Sequence, residues 1–397
     1  MTNLLLRNVR PHGGVASDLL IRDGRIAGIG HFEPDAGMPV EDGGGAIAIP
    51  GLIDAHTHLD KTIWGMPWHE NNRRAVLRER IDFERENRLA IGIDPHRQSM
   101  RHAIGLAAHG ATHIRSHVDI DPTHRLTIVD GIMETRDKLK GIIDIEIVAF
   151  PQSGVMVMPG TVELLDEALA QGCEVLGGID PCGIDRDPKG QLDALFALAV
   201  KHHKPIDIHL HETGDLGAFT MELMFERIRA NGMQGKVAIS HAFALGMNDY
   251  LRVGQLIEQI AELDVAILTT GAPSATVPSI MRLKEAGIRV GAGCDGIRDT
   301  WGPWGQPDML DRAKVVGMKN GLRSDKDLAH VLNIVSQGGA DVMRIDGYGL
   351  AEGCNADFTL LTGETLAHAV VDIAPRPLVV KGGRITARNG QPTVDMP

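Results

Sequence analysis

The sequence is poor in cysteine, and its four cysteines form no Cys-x-x-Cys pair. So few cysteines cannot build the disulfide framework of a small secreted domain, and they favour a reducing cytosol. No apolar run approaches the roughly 18 residues that a membrane-spanning helix needs. Dense blocks of Lys or Arg are also missing and the net charge is −12, which argues against nucleic acid and anionic membranes as partners. We therefore expect a cytoplasmic protein that acts on a small molecule.

Three catalytic or cofactor motifs are missing or misplaced. The sequence has no G-x-S-x-G nucleophile elbow, and Pro181-Cys182 lacks the second cysteine of the P-C-x-x-C deaminase signature. Residues 291–296 match G-x-G-x-x-G, but they lie near the end of the last predicted strand and run into residues 298–303, which are a poor helix start. A serine hydrolase, that zinc deaminase fold and a dinucleotide site are therefore disfavoured.

The two ends of the chain carry similar hairpin patterns. Residues 19–30 are apolar on both sides of Asp23-Gly24, and residues 378–388 repeat the pattern around Gly382-Gly383. Such pairs suit tight turns with positive φ. Residues 46–49 and 357–361 are further strand candidates. We expect a small β-sandwich domain built from residues 1–50 and 346–397, with one large domain, residues 51–345, inserted between them.

The large domain alternates short, nearly continuous apolar runs with helical stretches at crossover length. The eight predicted strands are residues 51–58, 112–118, 144–152, 174–181, 205–212, 237–243, 265–271 and 289–295. Helices are predicted at residues 93–109, 160–171, 191–203 and 278–286. Eight such repeats in about 290 residues predict a (β/α)8 TIM barrel. An open doubly wound sheet is the alternative, but it lacks a glycine-rich loop after an early strand.

Polar, mostly titratable residues end several of the predicted strands, and the carboxyl ends of barrel strands are where active sites form. They are His56, His58, His209, Glu212, His241 and Asp295. Histidine and carboxylate together suit a catalytic zinc or iron ion that keeps one position for water. This pattern predicts a metal centre at the barrel mouth.

Two further histidines, His117 and His211, lie at the ends of predicted strands. His117 ends the second strand, and we expect it to support a ligand or to pack in the core. His211 has the same strand parity as His209, and it is either a substrate contact or a structural support. His113 lies in the second predicted strand, and its role is left open. The other histidines lie in loops or helical stretches and are taken as solvated or packing residues.

The motif Pro-Gly-Leu-Ile-Asp-Ala-His-Thr-His at residues 50–58 resembles the amidohydrolase superfamily, as do the histidines after strands five and six and the aspartate after strand eight. The resemblance covers essentially the whole chain. Residues 178–181, at the end of strand four, hold no lysine, which resembles the branch with one metal ion. Residues 115–119, 148–154 and 299–301 resemble cytosine deaminases and N-isopropylammelide isopropyl amidohydrolases.

The resemblance implies a role for each site residue. One divalent metal ion per chain, zinc or iron, would be bound by His56, His58, His209 and Asp295. The catalytic residues would be Glu212, His241 and Asp295. Asp295 and His241 would take the proton of the attacking water, while Glu212 would protonate the ring nitrogen. The substrate would contact Gln152, Trp301 and His211.

The implied reaction is the hydrolytic deamination of an amino-substituted N-heterocycle, most like that of cytosine deaminase, with release of ammonia. Glu212 is the acid of that enzyme. The alternative is hydrolysis of an N-alkylamino-triazine, because Gly296 replaces a second aspartate of cytosine deaminase and so leaves room beside the metal. A non-catalytic metal-binding barrel is the remaining alternative, and it should lack a ligand or a proton carrier. The expected partner is a small heterocyclic substrate, without nucleic acid or membrane, and a homo-oligomer is left open.

Overall fold

The structure is a computed structural model that describes residues 2–72 and 74–397. Its strands are β1 (Leu4–Pro11), β2 (Ser17–Arg22), β3 (Arg25–Gly30), β4 (Val40–Asp42), β5 (Ile47–Pro50), β6 (Leu52–Thr57), β7 (Ala111–Asp119), β8 (Asp144–Phe150), β9 (Val175–Ile179), β10 (Ile206–His209), β11 (Val237–Ser240), β12 (Ala266–Thr269), β13 (Val290–Ala292), β14 (Phe358–Leu361), β15 (Leu378–Lys381), β16 (Arg384–Arg388) and β17 (Gln391–Pro392). Its helices are α1 (Leu77–Ile91), α2 (Pro95–Ala108), α3 (Thr127–Lys138), α4 (Thr161–Gln171), α5 (Pro188–His202), α6 (Gly214–Asn231), α7 (Tyr250–Glu262), α8 (Ile280–Glu285), α9 (Met309–Lys319), α10 (Asp325–Ile334), α11 (Gln337–Met343) and α12 (Leu366–Val371), with a 3₁₀ turn at Phe243–Gly246.

Eight parallel strands, β6 to β13, form one sheet in which each strand pairs with the next along the chain. The first and last strands meet beyond the end of β13. There the backbone N–H of Asp295 donates to the His56 carbonyl at 2.8 Å, and the Thr57 hydroxyl donates to the Asp295 carbonyl at 2.9 Å. The sheet is thus a nearly closed barrel, and the prediction of a (β/α)8 TIM barrel is confirmed.

The barrel strands are buried on both faces, as their apolar runs predicted. All nine residues of β7 are buried, and so are all residues of β6 and β9 to β13. Each of the eight predicted strands overlaps one strand of the barrel. The predicted helices coincide with α2, α4, α5 and α8.

Local sequence signals explain where the outer helices begin. Asp94 precedes Pro95, and its carboxylate accepts the backbone N–H of Arg97 at 2.7 Å. Asp187 precedes Pro188 in the same way and accepts the N–H of Gly190 at 2.9 Å. An aspartate cap followed by proline is a strong helix start, because proline lacks the N–H that the first turn leaves unpaired.

A second sheet of nine strands is built from both ends of the chain. β1 pairs with β2 and β5, and β14 pairs antiparallel with β5 and β15. Both predicted hairpins are present, with φ of 49° and 76° at Asp23-Gly24 and 54° and 74° at Gly382-Gly383.

The two ends of the chain also share one apolar core. This cluster joins Leu6 and Ile21 from the amino-terminal end to Phe358 and Val380 from the carboxyl-terminal end. The predicted β-sandwich built from both termini is therefore present. The domain boundaries at residues 50 and 346 stay a prediction.

None of the described helices is both long enough and apolar enough to cross a bilayer. The polar residues singled out in the sequence lie at the carboxyl ends of the barrel strands. This end of a barrel is where a functional site is expected.

Candidate metal centre

Three histidines and one aspartate converge inside the barrel mouth. Alternation along β6 points His56 and His58 to the same inner face, and His209 ends β10 on the other side of the barrel. The Nε2 atoms of His58 and His209 lie 3.3 Å apart. The Asp295 Oδ1 atom lies 3.4 Å from Nε2 of His58 and 3.7 Å from Nε2 of His56. The four side chains that the resemblance implies as ligands are therefore together.

Their spacing fits a single metal ion. Donors bound at 2.0–2.1 Å in a tetrahedral zinc site lie about 3.3 Å from each other, close to the separations found here. The Nε2 atom of His56 is buried and has no hydrogen-bond partner in the described part of the chain. Such an orphaned polar atom is costly unless a ligand satisfies it. The donor set therefore fits one divalent ion.

Burial favours the metal-binding form of two of the predicted ligands, His58 and His209. It lowers the pKa of His58, with a smaller effect from nearby Lys61, and it lowers the pKa of His209 well below its usual value. Burial acts the opposite way on Asp295, but the neighbouring imidazoles of His56, His58 and His241 hold the pKa of that carboxyl well below its usual range. Neutral imidazoles beside a carboxylate are the protonation states that metal binding requires.

The glycine-rich segment before Asp295 has a steric purpose. A Cβ at residue 293 would overlap the backbone of His56, so only glycine lets the end of β13 approach β6 this closely. Asp295 itself has a left-handed φ of 59°. The match to G-x-G-x-x-G thus belongs to barrel closure, in agreement with the expectation that it is no dinucleotide loop.

Glu212, the predicted acid, lies just beyond β10, where three groups donate hydrogen bonds to its carboxylate. Its Oε1 atom accepts the backbone N–H groups of Cys182 and Gly183, each at 2.8 Å, and its Oε2 atom accepts the Thr220 hydroxyl. Burial raises the pKa of Glu212, although these hydrogen bonds oppose the shift. A carboxyl with a raised pKa is suited to deliver a proton near neutral pH.

His241 and His211 lie side by side, with ring centroids 4.3 Å apart. Both ring nitrogens of His241 lack partners among the described residues, and burial, with His211, lowers its pKa well below the usual value. His211 pairs with Asp180 through Nδ1 at 2.7 Å. Burial acts to lower the pKa of His211, but the Asp180 carboxylate outweighs it and raises that pKa. The Asp180 bond uses one ring nitrogen and leaves Nε2, so both predicted roles of His211 stay open.

A cavity of about 770 Å³ adjoins Asp295 and is lined in part by Asp299 and Trp301. Trp301 thus stands where a substrate contact is predicted. Gln152 is buried two residues beyond β8, and its side-chain amide makes no hydrogen bond within the described ranges. The Phe150 ring that precedes it stacks on His209 at 4.2 Å.

The expectation of room beside Gly296 stays a prediction, because Asp299 takes the position that a side chain at residue 296 would use while a cavity adjoins Asp295. A Cβ at residue 296 would overlap Oδ2 of Asp299. The other oxygen of Asp299 accepts the backbone N–H groups of Trp301 at 2.8 Å and Gly302 at 3.0 Å, which holds the carboxyl in place. A carboxylate from three residues further along the chain therefore occupies that space.

Sequence reasoning did not find the hydrogen-bonded residues behind the histidines. Asp207, Ser240 and Arg115 are buried and form a chain of contacts that ends at Nδ1 of His56. The sequence held one clue, since Asp207 is two residues before His209 and so shares its inward face. His117, predicted as a support or core residue, is fully buried with its ring centroid 4.3 Å from that of His56.

A buried charge cluster beside the site was also missed. It comprises Asp60, Lys61, Glu84, Arg88 and Asp119. Glu84 and Arg88 are one turn apart on α1. Their ion pairs with Asp60 and Lys61 connect α1 to the loop after β6. The i, i+4 spacing of Glu84 and Arg88 gave a hint, but the same spacing is common on solvated helix surfaces.

The fold and the cluster of His56, His58, His209 and Asp295 together define a class of protein. It is the class of (β/α)8-barrel enzymes with a metal centre at the carboxyl ends of the strands. The Amidohydrolase family model matches residues 40–394, and the chain belongs to that family. It is a hydrolase that acts on carbon–nitrogen bonds other than peptide bonds. The resemblance inferred from the motifs is therefore confirmed.

Three relatives place the chain more closely. It is 29% identical over 388 residues to the N-isopropylammelide isopropyl amidohydrolase of Pseudomonas sp. (strain ADP), covering 95% of this chain and 93% of that protein. The crystal structure of N-isopropylammelide isopropylaminohydrolase from Burkholderia multivorans ATCC 17616 is similar with a TM-score of 0.95 and 45% identity, covering 99% and 100% of the two chains. The 5-methylcytosine deaminase of Klebsiella pneumoniae liganded with 5-fluorocytosine is similar with a TM-score of 0.85 and 27% identity, covering 98% of both chains.

Proposed function

We propose that this chain hydrolyses the bond between a ring carbon and an exocyclic amino or alkylamino nitrogen of an N-heterocycle, using one zinc or iron ion bound by His56, His58, His209 and Asp295. The observation that carries the proposal is the spacing of 3.3–3.7 Å among these donor atoms. Non-catalytic barrels have no reason to keep a buried set of this kind together with a proton carrier.

The protein groups divide the proton transfers between them. A divalent ion bound there would lower the pKa of a coordinated water far enough to supply hydroxide near neutral pH. Asp295, whose side chain is 38% exposed, and His241, whose ring nitrogens have no partner among the described residues, accept the proton of the attacking water. Glu212 gives a proton to the ring nitrogen next to the attacked carbon. A carbon–oxygen bond forms and the exocyclic carbon–nitrogen bond breaks. Ammonia or an alkylamine leaves with the water proton that Asp295 and His241 accepted, and the proton of the new hydroxyl returns to Glu212 as the ring carbonyl forms.

Two substrate classes compete for this site. Glu212 supports a cytosine-like substrate, and 27% identity to 5-methylcytosine deaminase agrees with it. The 45% identity to an N-isopropylammelide isopropylaminohydrolase over the full chain supports an N-alkylamino-triazine. The cavity beside Asp295 leaves space for an alkyl substituent on the ring. We favour the N-alkylamino-triazine and keep cytosine-type deamination as the second candidate.

A substrate panel tests the proposal. Zinc-loaded and iron-loaded protein is incubated with N-isopropylammelide, cytosine and 5-methylcytosine, and released isopropylamine and ammonia are measured. Isopropylamine release with the highest kcat/KM supports the favoured class, whereas preferred ammonia release from cytosine supports the second. No release from any amino-heterocycle by metal-loaded protein would sink the proposal and favour the non-catalytic barrel. Residence in the cytoplasm stays a prediction, and assembly into a homo-oligomer stays open.

A further inference from the structure

A buried chain of hydrogen bonds runs behind His56, on the side away from the other ligands. The Ser240 hydroxyl lies 2.9 Å from Nδ1 of His56 and donates to Oδ1 of Asp207 at 2.6 Å. Arg115 donates to the other Asp207 oxygen at 3.2 Å. His56, Asp207 and Ser240 are fully buried, and Arg115 is nearly so. No bulk water competes for these bonds.

The number of available hydrogens sets the direction of each bond. A serine hydroxyl has one hydrogen to donate, and Ser240 gives it to Asp207. Towards His56 the Ser240 oxygen can therefore only accept, so the ring hydrogen of His56 must be on Nδ1. This tautomer leaves Nε2, the atom 3.7 Å from Asp295, with a free lone pair.

Arg115 fixes the donor direction in this series of hydrogen bonds. A carboxylate is an acceptor only, and the Arg115 guanidinium on Oδ2 stabilises the charged form of Asp207. Arg115 also binds Glu146 through its Nε atom, which holds the guanidinium in position. His117 also lies near this carboxylate, with its Nε2 atom 3.8 Å from Oδ2 of Asp207.

We propose that Asp207 and Ser240 are positioning residues that select the Nδ1–H tautomer of His56 and hold its ring, so that Nε2 is ready to bind the metal. The inference rests on the proposed metal centre but makes a separate statement about the free protein. His58 and His209 differ from His56 in this respect, because their Nδ1 atoms have no partner within the described residues. The chain prepares one of the three histidines in advance.

The tautomer is measured in the metal-free protein. Imidazole-¹⁵N-labelled protein at pH 8 is examined by long-range ¹H–¹⁵N spectroscopy, and the His56 signals are assigned from their loss in His56→Asn. The expected result is a hydrogen on Nδ1 in the wild type. In Ser240→Ala this preference should be lost, and in Ser240→Thr, which keeps the hydroxyl, it should return. A wild-type hydrogen on Nε2 would overturn the inference without any metal measurement.

Metal affinity gives a second readout. Competition with a chelator should show that Ser240→Ala and Asp207→Asn bind Zn²⁺ about 10- to 100-fold more weakly than the wild type, the usual cost of losing a partner behind a metal ligand. The matched control is Ser99→Ala, which removes a buried hydroxyl on α2 that bonds to Thr135 at 2.6 Å, outside the barrel. Zn²⁺ affinity in Ser240→Ala equal to that in Ser99→Ala would overturn the inference.

The outcomes also separate this inference from the proposed function. Wild-type protein that binds no Zn²⁺ but shows the Nδ1–H form of His56, lost in Ser240→Ala, would contradict the metal centre and support the positioning role. If the wild type binds Zn²⁺, and Ser240→Ala keeps the same Zn²⁺ affinity and the same His56 tautomer, the metal centre is supported and the positioning role is contradicted. If Ser240→Ala fails to fold, the wild-type tautomer and Asp207→Asn still decide.

Discussion

The Nε2 atoms of His58 and His209 lie 3.3 Å apart across the barrel, although 151 positions separate the two residues in the chain. β6 and β10 are the first and fifth strands of the barrel, so barrel closure brings their inward side chains together. A pair of buried imidazole nitrogens this close, next to the Asp295 carboxylate, is what a bound cation would share.

We expect one tightly bound divalent ion per chain. Elemental analysis of protein purified without added metal should give one equivalent of zinc or iron, and His209→Asn should reduce it strongly because a ligand is lost. His203→Asn is the control, since His203 is exposed with a φ of 55° that asparagine tolerates. Two equivalents of comparable affinity would contradict a single-metal centre.

Glu212→Gln should keep the fold and the metal but lose most of the turnover. The amide oxygen can still accept the N–H groups of Cys182 and Gly183, yet the amide has no proton to transfer. We expect kcat to fall about 100- to 10,000-fold, measured with the best substrate of the panel. Glu226→Gln, an exposed change on α6, should leave kcat unchanged. Activity within a few-fold of wild type in Glu212→Gln would assign the proton to another group.

Arg88→Met should destabilise the protein strongly. Arg88 is 2% exposed and bonds to Asp60, Glu84 and Asp119 at 3.0–3.1 Å. Its loss leaves three buried carboxylates with Lys61 alone, and breaking a buried ion pair costs about 3–5 kcal/mol. The shift is measured as the urea midpoint. Lys201→Met, which breaks an exposed pair with Asp166, should cost less than about 1 kcal/mol, and equal shifts would refute the prediction.

His113 should make stability fall at acid pH. Burial, assisted by Lys381, lowers its pKa from 6.5 to about 4. The unfolded chain therefore binds one more proton than the folded protein between these values, so stability is full above pH 6.5 and is lost as pH falls towards 4. Between pH 6.5 and 4 the urea midpoint of the wild type should therefore fall more steeply than that of His113→Gln, which lacks the titrating imidazole. Parallel curves for the two proteins would show that His113 does not titrate this way.

Gly296→Ala should impair the cavity because the new Cβ overlaps Asp299. Asp299 caps the N–H of Trp301, so its displacement should move the cavity wall and lower kcat/KM at least about 10-fold. Adding Asp299→Ser should recover part of the loss, with a coupling of about 0.5–3 kcal/mol. Gly302→Ala, in the same loop with no atom near its Cβ, is the control. Additive effects of Gly296→Ala and Asp299→Ser would argue against the overlap.

Most of the fold was predictable because its signals are local. The buried run of β7, the hairpin at Asp23-Gly24 and the proline start of α2 each depend on a few neighbouring residues. The pair His56 and His58 was recognisable for the same reason, since two residues along a strand return to one face. Gly296 shows the limit, because the nearby carboxyl that fills its space comes from a loop whose path no periodicity encodes.

The sequence by itself determined the eight strands, the hairpins at both ends, and the residue types at the barrel mouth, since hydrophobic period and turn chemistry are properties of short segments. Only the tertiary structure decided which polar groups meet in the interior: Ser240 with Asp207 and His56, and Arg88 with its three carboxylates. These partners are far apart in the chain. Burial leaves each of them the choice between a protein partner and a large desolvation cost, and closure of the barrel determines which partner is within reach.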